Sequence, residues 1–121
     1  MPTRRPGDNR PVRVGPLRTG SVLRASVDWS AWLAGESIVD LKVINPSPAD
    51  ITIGDGVTVP DLPVTTDPTP PAPAQSAGVV TLALFKASGA TITDGTDYTV
   101  SVNIATGTRA DTCQLVFAAY N

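Results

Sequence analysis

The amino-acid sequence predicts an all-β fold, an antiparallel sandwich of about seven strands with an extended N-terminal arm. Composition is the first reason: aromatic residues make up only 5% of the 121 residues, and the remaining apolar residues, mainly Val, Ile, Leu and Ala together with many Thr, suit pleated sheets. Strand-sized segments also recur about every ten residues with turn residues between them. Finally, no segment carries a sustained apolar stripe at helical spacing.

The strand signals are clearest in the C-terminal third of the chain. Tyr98, Val100, Val102 and Ile104 alternate with polar residues, the period of a half-buried strand. The nearly continuous apolar run of residues 78–86 predicts a central strand covered on both faces. The expected strands cover residues 22–29, 37–44, 50–53, 57–59, 78–86, 98–104 and 111–119, with a hairpin at Gly54-Asp55-Gly56.

Proline and glycine define the organisation of the chain. Pro2, Pro6, Pro11 and Pro16 block helix formation and favour extended backbone. We therefore expect an extended, basic, proline-rich arm over residues 1–21 and one sandwich domain over residues 22–121. A proline-rich loop is expected at about residues 60–76 inside that domain, because neither group of strands could bury a core alone.

Charge is distributed unevenly along the chain. Residues 1–24 contain six arginines and one aspartate, a net charge of +5, whereas residues 25–121 carry −7. Such asymmetry indicates an arm that contacts something acidic. An arm of this composition seldom orders by itself, so we expect it to lie on a neighbouring protein, with copies of this chain among the candidates. The predicted partner-binding residues are Arg4, Arg5, Arg10, Arg13 and Arg18.

Two other roles for the arm are disfavoured but stay open. The arginines could bind nucleic-acid phosphates, yet the arm has no aromatic residue to stack on bases and the following domain is acidic. The arm could also be a solvated tail. No run approaches the roughly 18–20 apolar residues of a membrane helix, and the N-terminus lacks the apolar region of a secretory signal. We expect a soluble chain that is made in the cytoplasm.

The sequence predicts no catalytic, cofactor-binding or metal-binding residue. Histidine is absent, which removes Ser–His and Cys–His nucleophile systems and Cys/His zinc spacing. Cys113, the single cysteine, lies in the apolar stretch DTCQLVF and is expected to be a buried, inert thiol. The aspartates at 55, 61, 67, 94, 97 and 111 sit in Gly, Pro or Thr contexts that favour turns over an acid–base pair. The run at 94–97 lacks the ligand spacing of a calcium loop.

Three aromatic residues are expected to have structural roles. Trp29 should end the first strand in the core, and Trp32 should pack over the open end of the sandwich. Alternatively, Trp32 and Leu33 anchor an interface, where tryptophan is enriched. Tyr98 opens a late strand just after a polar turn. This placement resembles the tyrosine corner of immunoglobulin-like domains, in which the phenol bonds a nearby upstream backbone group.

Two segments resemble a family of small virion proteins of tailed bacteriophages, the fiber–tail adaptor or neck-region proteins. One is Ser26-Val-Asp-Trp-Ser-Ala-Trp-Leu-Ala-Gly-Glu-Ser-Ile38, and the other is Gly95-Thr-Asp-Tyr-Thr-Val100. The family pattern is a strand ending in Asp-Trp, then Ser-x-Trp-Leu-x-Gly-Asp/Glu, and later a Gly-Thr-x-Tyr-Thr-Val hairpin. The resemblance covers about residues 22–119; the long arm and the Pro60–Pro73 stretch depart from the pattern. It implies a non-catalytic, immunoglobulin-like docking module.

The functional hypothesis is therefore a virion structural protein without enzymatic activity. It would act in the neck or tail region and dock neighbouring connector, tail, fiber or capsid proteins through its arm. One alternative is a capsid decoration protein that cements neighbouring capsomers. Another is a carbohydrate-binding module, for which only Trp32 and Tyr120 are plausible exposed aromatic residues.

Overall fold

The computed structural model describes residues 2–54, 65–67, 74–76 and 78–121. About half of the structure is strand and very little is helix, so the predicted all-β class is confirmed. In chain order the elements are β1 (Val12–Arg13), β2 (Leu17–Arg18), β3 (Leu23–Asp28), α1 (Ser30–Leu33), β4 (Asp40–Ile44), β5 (Ile51–Gly54), β6 (Thr65–Asp67), β7 (Ala74–Ser76), β8 (Val79–Lys86), β9 (Thr96–Ala105) and β10 (Ala110–Tyr120).

The first sheet has the order β1-β10-β9-β4-β6. The strand β2 pairs with the same edge of β10 as β1 does, but further towards the C-terminal end of β10. Its centre is the long antiparallel hairpin of β9 and β10, in which Val100 lies opposite Leu115. Side chains alternate between the two faces of a strand. The period-two pattern of β9 therefore places its apolar residues on the inner face, where Val100 and Val102 are fully buried.

The second sheet has the order β3-β8-β5. The strand β7 also pairs with β8, at residues 79–81, whereas β5 pairs with residues 83–86. As the apolar run predicts, β8 is the central strand. Its inner face is buried at Val80, Leu82 and Leu84. On the outer face, Ala83 is buried, whereas Thr81 and Phe85 are only partly buried, so the expected cover on both faces is incomplete.

One hydrophobic core joins the two sheets. Buried residues from β3, β5 and β8 pack in the same cluster as buried residues from β4, β9 and β10. The burial of this apolar surface makes the main favourable contribution to the free energy of folding. Trp29 and Phe117 are its largest fully buried side chains.

The sheets are mixed rather than purely antiparallel. All pairings among the six strands of four or more residues are antiparallel, but β1 and β2 run parallel to β10, and β6 runs parallel to β4. The described residues form ten strands, four of them only two or three residues long, so the expected count of about seven is not confirmed. The short strands lie at sheet margins, in proline-containing segments that cannot sustain a long ladder.

Part of the predicted connection between β5 and β8 lies outside the described residues. This applies to the strand over 57–59, to the Asp55-Gly56 half of the hairpin, and to most of the proline-rich loop at 60–76. Within that loop, residues 65–67 and 74–76 form β6 and β7.

The N-terminal segment is extended, as predicted, but it lies along its own chain. The amides of Val14 and Thr19 donate to the carbonyl oxygens of Val116 and Tyr120 at 2.9 Å, beside the paired residues of β1 and β2. Leu17 is only 1% exposed and belongs to the core cluster. A free β-strand edge presents unpaired N–H and C=O groups. The N-terminal segment pairs with the backbone groups on this edge of β10, so the segment is ordered on its own chain and needs no neighbouring protein.

If the segment is part of the fold, replacing Leu17 should destabilise the domain. We expect Leu17→Ala to lower the free energy of unfolding by about 2–5 kcal/mol, the usual cost of truncating a buried leucine. Urea denaturation followed by tryptophan fluorescence measures this change.

The matched control is Val22→Ala, since Val22 is 51% exposed. It should change the free energy of unfolding by less than about 0.5 kcal/mol. Equal, small effects of both substitutions would contradict the burial of Leu17.

Candidate interaction surface

We call residues 2–19 the arm segment, because they hold all five arginines predicted to bind a partner and end with the hydrogen bond from Thr19 to β10. The structure does not bring these arginines together into one patch. Arg4 is buried, and the other four are exposed. Of these four, Arg13 and Arg18 contact side chains of neighbouring strands, whereas Arg5 and Arg10 lie on either side of a turn. Each group therefore has its own consequence for binding.

Arg4 is 3% exposed, although arginine is almost never fully buried unless it is paired. Its Nη1 donates to the carbonyl oxygen of Arg10 at 2.8 Å. Its Nη2 donates to the carbonyl oxygens of Asp8 at 3.1 Å and Thr112 at 3.2 Å. The guanidinium carbon lies 5.8 Å from the centroid of the Trp29 ring, within cation–π range. Carbonyl dipoles and an aromatic ring, rather than a carboxylate, thus surround this charge.

The backbone of the arm segment also reaches the second sheet beside Arg4. The Arg4 amide donates to the carbonyl oxygen of Asp28 at 2.8 Å, and the Asp28 amide donates to that of Pro2 at 2.9 Å. The segment therefore spans both sheets, pairing with the end of β3 and then with β10.

The side chains of Arg13 and Arg18 contact residues of β9 and β10. Arg13 pairs with Asp97 of β9 at 2.8 Å, and the hydrogen bond it donates holds the pKa of that carboxyl below its ordinary value. Both side chains are more than half exposed, so this pair adds little stability. The Arg18 guanidinium carbon lies 5.3 Å from the centroid of the Tyr120 ring.

Arg5 and Arg10 have exposed side chains. Asp8 organises the turn that presents them: its carboxylate accepts a hydrogen bond from the Arg5 amide at 2.8 Å. The Arg10 carbonyl oxygen is held by Arg4, while the Arg10 side chain extends to solvent. These two guanidinium groups can be reached directly by a partner, as can those of the exposed Arg13 and Arg18.

The two tryptophans lie inside the core. Trp29 is fully buried and Trp32 is 5% exposed, and their rings meet edge to face at 5.7 Å, a favourable aromatic geometry. Leu33 is also 5% exposed. Trp32 and Leu33 therefore do not offer an interface anchor on this surface, because a single-turn helix directs both side chains inward.

A polar cluster that the sequence did not predict covers the outer edge of Trp32. The Arg109 guanidinium carbon lies 4.2 Å from the centroid of the Trp32 ring. Its Nη2 donates to the carbonyl oxygens of Trp32 at 2.7 Å and Leu33 at 3.2 Å. The same side chain pairs with Glu36 at 2.7 Å. Arg109, in the turn between β9 and β10, thus donates hydrogen bonds to the carbonyl groups at the end of α1 and covers the Trp32 ring.

Tyr98 is buried as expected, but the predicted tyrosine corner is wrong in its partner. The phenol donates to the Asp50 carboxylate at 3.1 Å, a side chain 48 residues upstream, and not to a nearby backbone group. Burial is the main cause that raises the pKa of Tyr98, and the Asp50 bond adds to it. The bond connects β9 of the first sheet to the residue preceding β5 of the second.

Cys113 and Asp94 also have structural surroundings. Burial raises the pKa of the Cys113 thiol, and the residue is fully buried, which fits the expectation of an inert thiol. The Asp94 carboxylate accepts the Asn121 amide at 2.7 Å. Among these residues, no group of three His, Cys, Asp or Glu side chains could hold a metal ion.

An open cleft of about 480 Å³ lies on the outer face of the first sheet. Ala105 and Ala110 lie opposite each other across the hairpin, with Asp40 of β4 next to Ala105. Their small side chains leave the gap. Its walls carry Asp40 and Asp111 beside Lys42, so the acidic groups of the cleft are partly balanced.

Comparisons of the chain with protein-family models, with curated proteins and with solved structures found no match. In the part of the chain that the structure describes, no helix is long and apolar enough to cross a membrane.

The Glu36–Arg109 cluster predicts a pH dependence of stability. Hydrogen bonds from Thr108 and then Arg109 lower the pKa of Glu36 from its ordinary value of 4.5. A carboxyl whose pKa is lower in the folded protein stabilises it above the unfolded-state value, and this contribution is lost as the pH falls through the folded-state value. We expect Glu36→Gln to lower the urea midpoint at neutral pH, and the difference from wild type to shrink as the pH falls below the ordinary value of 4.5 and through the lower folded-state pKa of Glu36.

Asp40→Asn is the matched control, because Asp40 is an exposed carboxylate outside this cluster. Its urea midpoint should stay close to that of the wild-type protein. A Glu36→Gln deficit of the same size at pH 3 and at neutral pH would contradict the role of the charged carboxylate.

Proposed function

We propose that this chain is a non-enzymatic structural protein of a tailed-bacteriophage particle, an immunoglobulin-like adaptor that joins neighbouring virion proteins in the neck or tail region. The observation that carries the proposal is the arm segment, a basic strand laid on the edge of an acidic domain. Its contacts are mostly backbone hydrogen bonds and exposed arginines, which are the contacts that proteins use to add a strand to a neighbouring sheet.

The strand order supports the immunoglobulin-like assignment. Immunoglobulin-like domains pack one sheet that contains their B, E and D strands against another that contains C, F and G. Here β3-β8-β5 and β4-β9-β10 have the corresponding chain order and neighbours. The buried tyrosine near the start of β9 also fits this architecture, although it uses a different hydrogen-bond partner, whereas the buried Trp29 follows β3 and does not lie on β4, the equivalent of strand C.

The chemistry of the chain supports a structural role. General acid–base or nucleophilic catalysis needs groups that move protons or attack. The chain has no histidine, and its single thiol is buried with a raised pKa. Glu36, Asp50 and Asp97 accept hydrogen bonds from other structural side chains. These carboxylates already have hydrogen-bond partners within the fold.

The virion assignment rests on the resemblance of residues 26–38 and 95–100 to the neck-region family. In the structure, the first segment contains α1, Trp29 and Trp32, and the second begins β9. Arg109 and Glu36 connect the loop after α1 to the β9–β10 turn. The family pattern therefore coincides with residues that build the core and its polar cover, which is what a structural module requires.

The proposal is tested with purified particles of the phage that encodes the chain. Quantitative mass spectrometry should detect the protein at about six or twelve copies per particle, the stoichiometry of a cyclic neck ring. Hundreds of copies would instead indicate a capsid decoration protein, and its absence from particles would refute a virion role.

The exposed arginines of the arm segment should be required for incorporation into particles. We expect the double variant Arg5→Glu/Arg10→Glu to fold normally, because both side chains are exposed, and to be incorporated about tenfold less, since reversed charges repel an acidic partner. The measurement is the ratio of variant to wild-type protein in purified particles.

Arg24→Glu is the matched control, an exposed arginine on β3 outside the arm segment. It should be incorporated as well as the wild-type protein. Equal incorporation of the double variant and this control would show that the arm segment does not attach the domain.

A further inference from the structure

The second sheet has a strand edge that the described residues leave largely unpaired. The strand β3 pairs with β8 along one edge. On its other edge, the described residues pair only with Asp28. The Asp28 amide donates to the carbonyl oxygen of Pro2 at 2.9 Å, and the Asp28 carbonyl oxygen accepts the Arg4 amide at 2.8 Å. The strands β1 and β2 do not extend this pairing, because they lie on β10 of the first sheet.

The open backbone groups on this edge belong to Ser26 and Arg24. Successive residues of a strand in an antiparallel pair direct their backbone groups alternately towards the partner strand and away from it. Both groups of Asp28 point away from β8, whereas the Trp29 amide points the other way and donates to the carbonyl oxygen of Gly78 at 2.8 Å. Ser26 and Arg24, two and four residues before Asp28, therefore present two amides and two carbonyl groups to the edge.

Pro2 prevents the N-terminal segment from covering more of this edge. Thr3 and Asp28 form a parallel bridge. In a parallel ladder, the next hydrogen bond towards Ser26 comes from the amide of residue 2, and a proline has no N–H group to donate. The ladder ends there, and the carbonyl oxygen of Ser26 has no partner among the described residues. The same chain therefore closes the edge of β10 and leaves part of β3 open.

An apolar slot of about 280 Å³ lies at the start of β3, where Val22 continues the open edge. Val22, which is 51% exposed, and Phe85 form the apolar walls, and Gly20 and Ser21 close the end. The turn that carries these residues is held in place, since the Ser21 amide donates to the carbonyl oxygen of Arg18 at 2.9 Å. The slot is therefore formed before any partner binds, and it is large enough for one aliphatic side chain.

The side chains along the edge indicate the charge of its partner. Val22, Arg24 and Ser26 lie two residues apart, so their side chains share the outer face of the sheet. Arg24 is exposed and has no ion pair among the described residues. Lys86 borders the slot, and its ammonium group donates to the carbonyl oxygen of Ala90 at 2.8 Å rather than to a carboxylate. A carboxylate opposite Arg24 would complement this charge.

The acidic side chain of β3 lies at the other end of the edge and is already engaged. The Asp28 carboxylate accepts hydrogen bonds from the amide of Ser30 at 2.9 Å and from its hydroxyl at 2.6 Å. The residues of β8 opposite Arg24 and Ser26 are uncharged. This part of the edge is therefore basic, although the chain as a whole carries −2.

From these observations we propose that the open edge of β3 is a second docking site, which binds an extended, acidic segment of another protein as an added antiparallel strand. Hydrogen bonds to the backbone of Ser26 and Arg24 hold the segment, and contacts of alternate side chains make it specific. The segment places an apolar side chain in the slot and, two residues away, a carboxylate opposite Arg24. Antiparallel pairing is the slightly more stable of the two ladder types.

The inference deepens the proposed adaptor function and rests on it, because an adaptor joins two proteins and needs two separate surfaces. The arm segment attaches the domain to the particle, and the edge of β3 holds the second protein. Charge reversal at Arg24 therefore leaves incorporation into particles intact and weakens the second contact.

An NMR titration of the purified protein tests the docking site. The probe is the peptide acetyl-Thr-Thr-Thr-Glu-Thr-Leu-Thr-amide, whose Glu and Leu lie opposite Arg24 and Val22 in an antiparallel pair. We expect a dissociation constant of about 1 mM, because a short segment loses conformational freedom on binding. The amide signals of Arg24 and Ser26 should shift, and those of the β9–β10 hairpin should not.

The matched control peptide carries Lys in place of Glu. It should bind at least about fivefold more weakly, since like charges opposite each other destabilise a strand pair. Equal binding of the two peptides, or no shift of the Arg24 and Ser26 amides at about 5 mM peptide, would overturn the proposal.

Variants of the edge give an independent answer. Ser26→Pro removes the outward amide and should abolish the peptide-induced shift at Arg24; proline is tolerated on sheet edges. The control Ser26→Ala loses the same hydroxyl contact with Thr81 but keeps the amide, so it should bind as the wild-type protein does. Arg24→Glu leaves the backbone unchanged and should prefer the Lys peptide. A folded Ser26→Pro variant that binds normally, or an Arg24→Glu variant that still prefers the Glu peptide, would contradict strand addition.

The same spectra distinguish a second copy from another protein as the occupant. Shifts of the Arg24 and Ser26 amides that depend on protein concentration without peptide would show that a second copy occupies the edge, and would overturn the proposed partner. Because the titration uses purified protein, its failure leaves the virion role to the particle experiments. Absence of the protein from particles would in turn leave the measured peptide binding unchanged.

Discussion

The fold depends on the pairing of the arm segment with the edge of β10 that faces away from β9. The strand β10 is the longest in the molecule, and β9 covers only one of its edges. An uncovered edge of this length would expose unpaired backbone groups and invite aggregation. The arm segment supplies β1 and β2 in parallel and brings Leu17 into the core. Edge closure and core completion are therefore achieved by the same residues.

Polar clusters connect the parts that the sheets alone would leave separate. Arg109 joins the β9–β10 turn to α1, where it stacks on Trp32 and bonds Glu36. Tyr98 connects the two sheets through Asp50. The bond to Asp50 satisfies the buried Tyr98 phenol, and a buried phenol without a partner would cost more than the bond itself contributes. Arg4 differs, because its buried charge has only carbonyl partners, and among the described residues its Nε and the Nε1 of Trp29 are buried without a hydrogen-bond partner.

The sequence predicted well what short-range patterns encode and less well what distant contacts decide. Alternation identified β9 and β10, because burial on one face of a strand leaves a period of two in the sequence. It could not identify β1, where two residues make no pattern and the pairing partner lies at Leu115. Likewise, a buried phenol predicts a hydrogen bond for Tyr98, but only the folded chain brings Asp50 to it. The sequence left Trp32 open to a role in the core or at an interface, because the residue that covers its ring, Arg109, is distant in the chain.

Amide hydrogen exchange at the arm segment tests the central claim most directly. NMR should show protected amides at Arg4, Val14 and Thr19, whose acceptors lie 2.8–2.9 Å away on β3 and β10, while the exposed turn at Gly20 exchanges rapidly. Their protection should be lower than that of the β9–β10 hairpin, as expected for a unit that opens below the global free energy of unfolding. Exchange of these three amides at random-coil rates would show that the arm segment is not part of the fold.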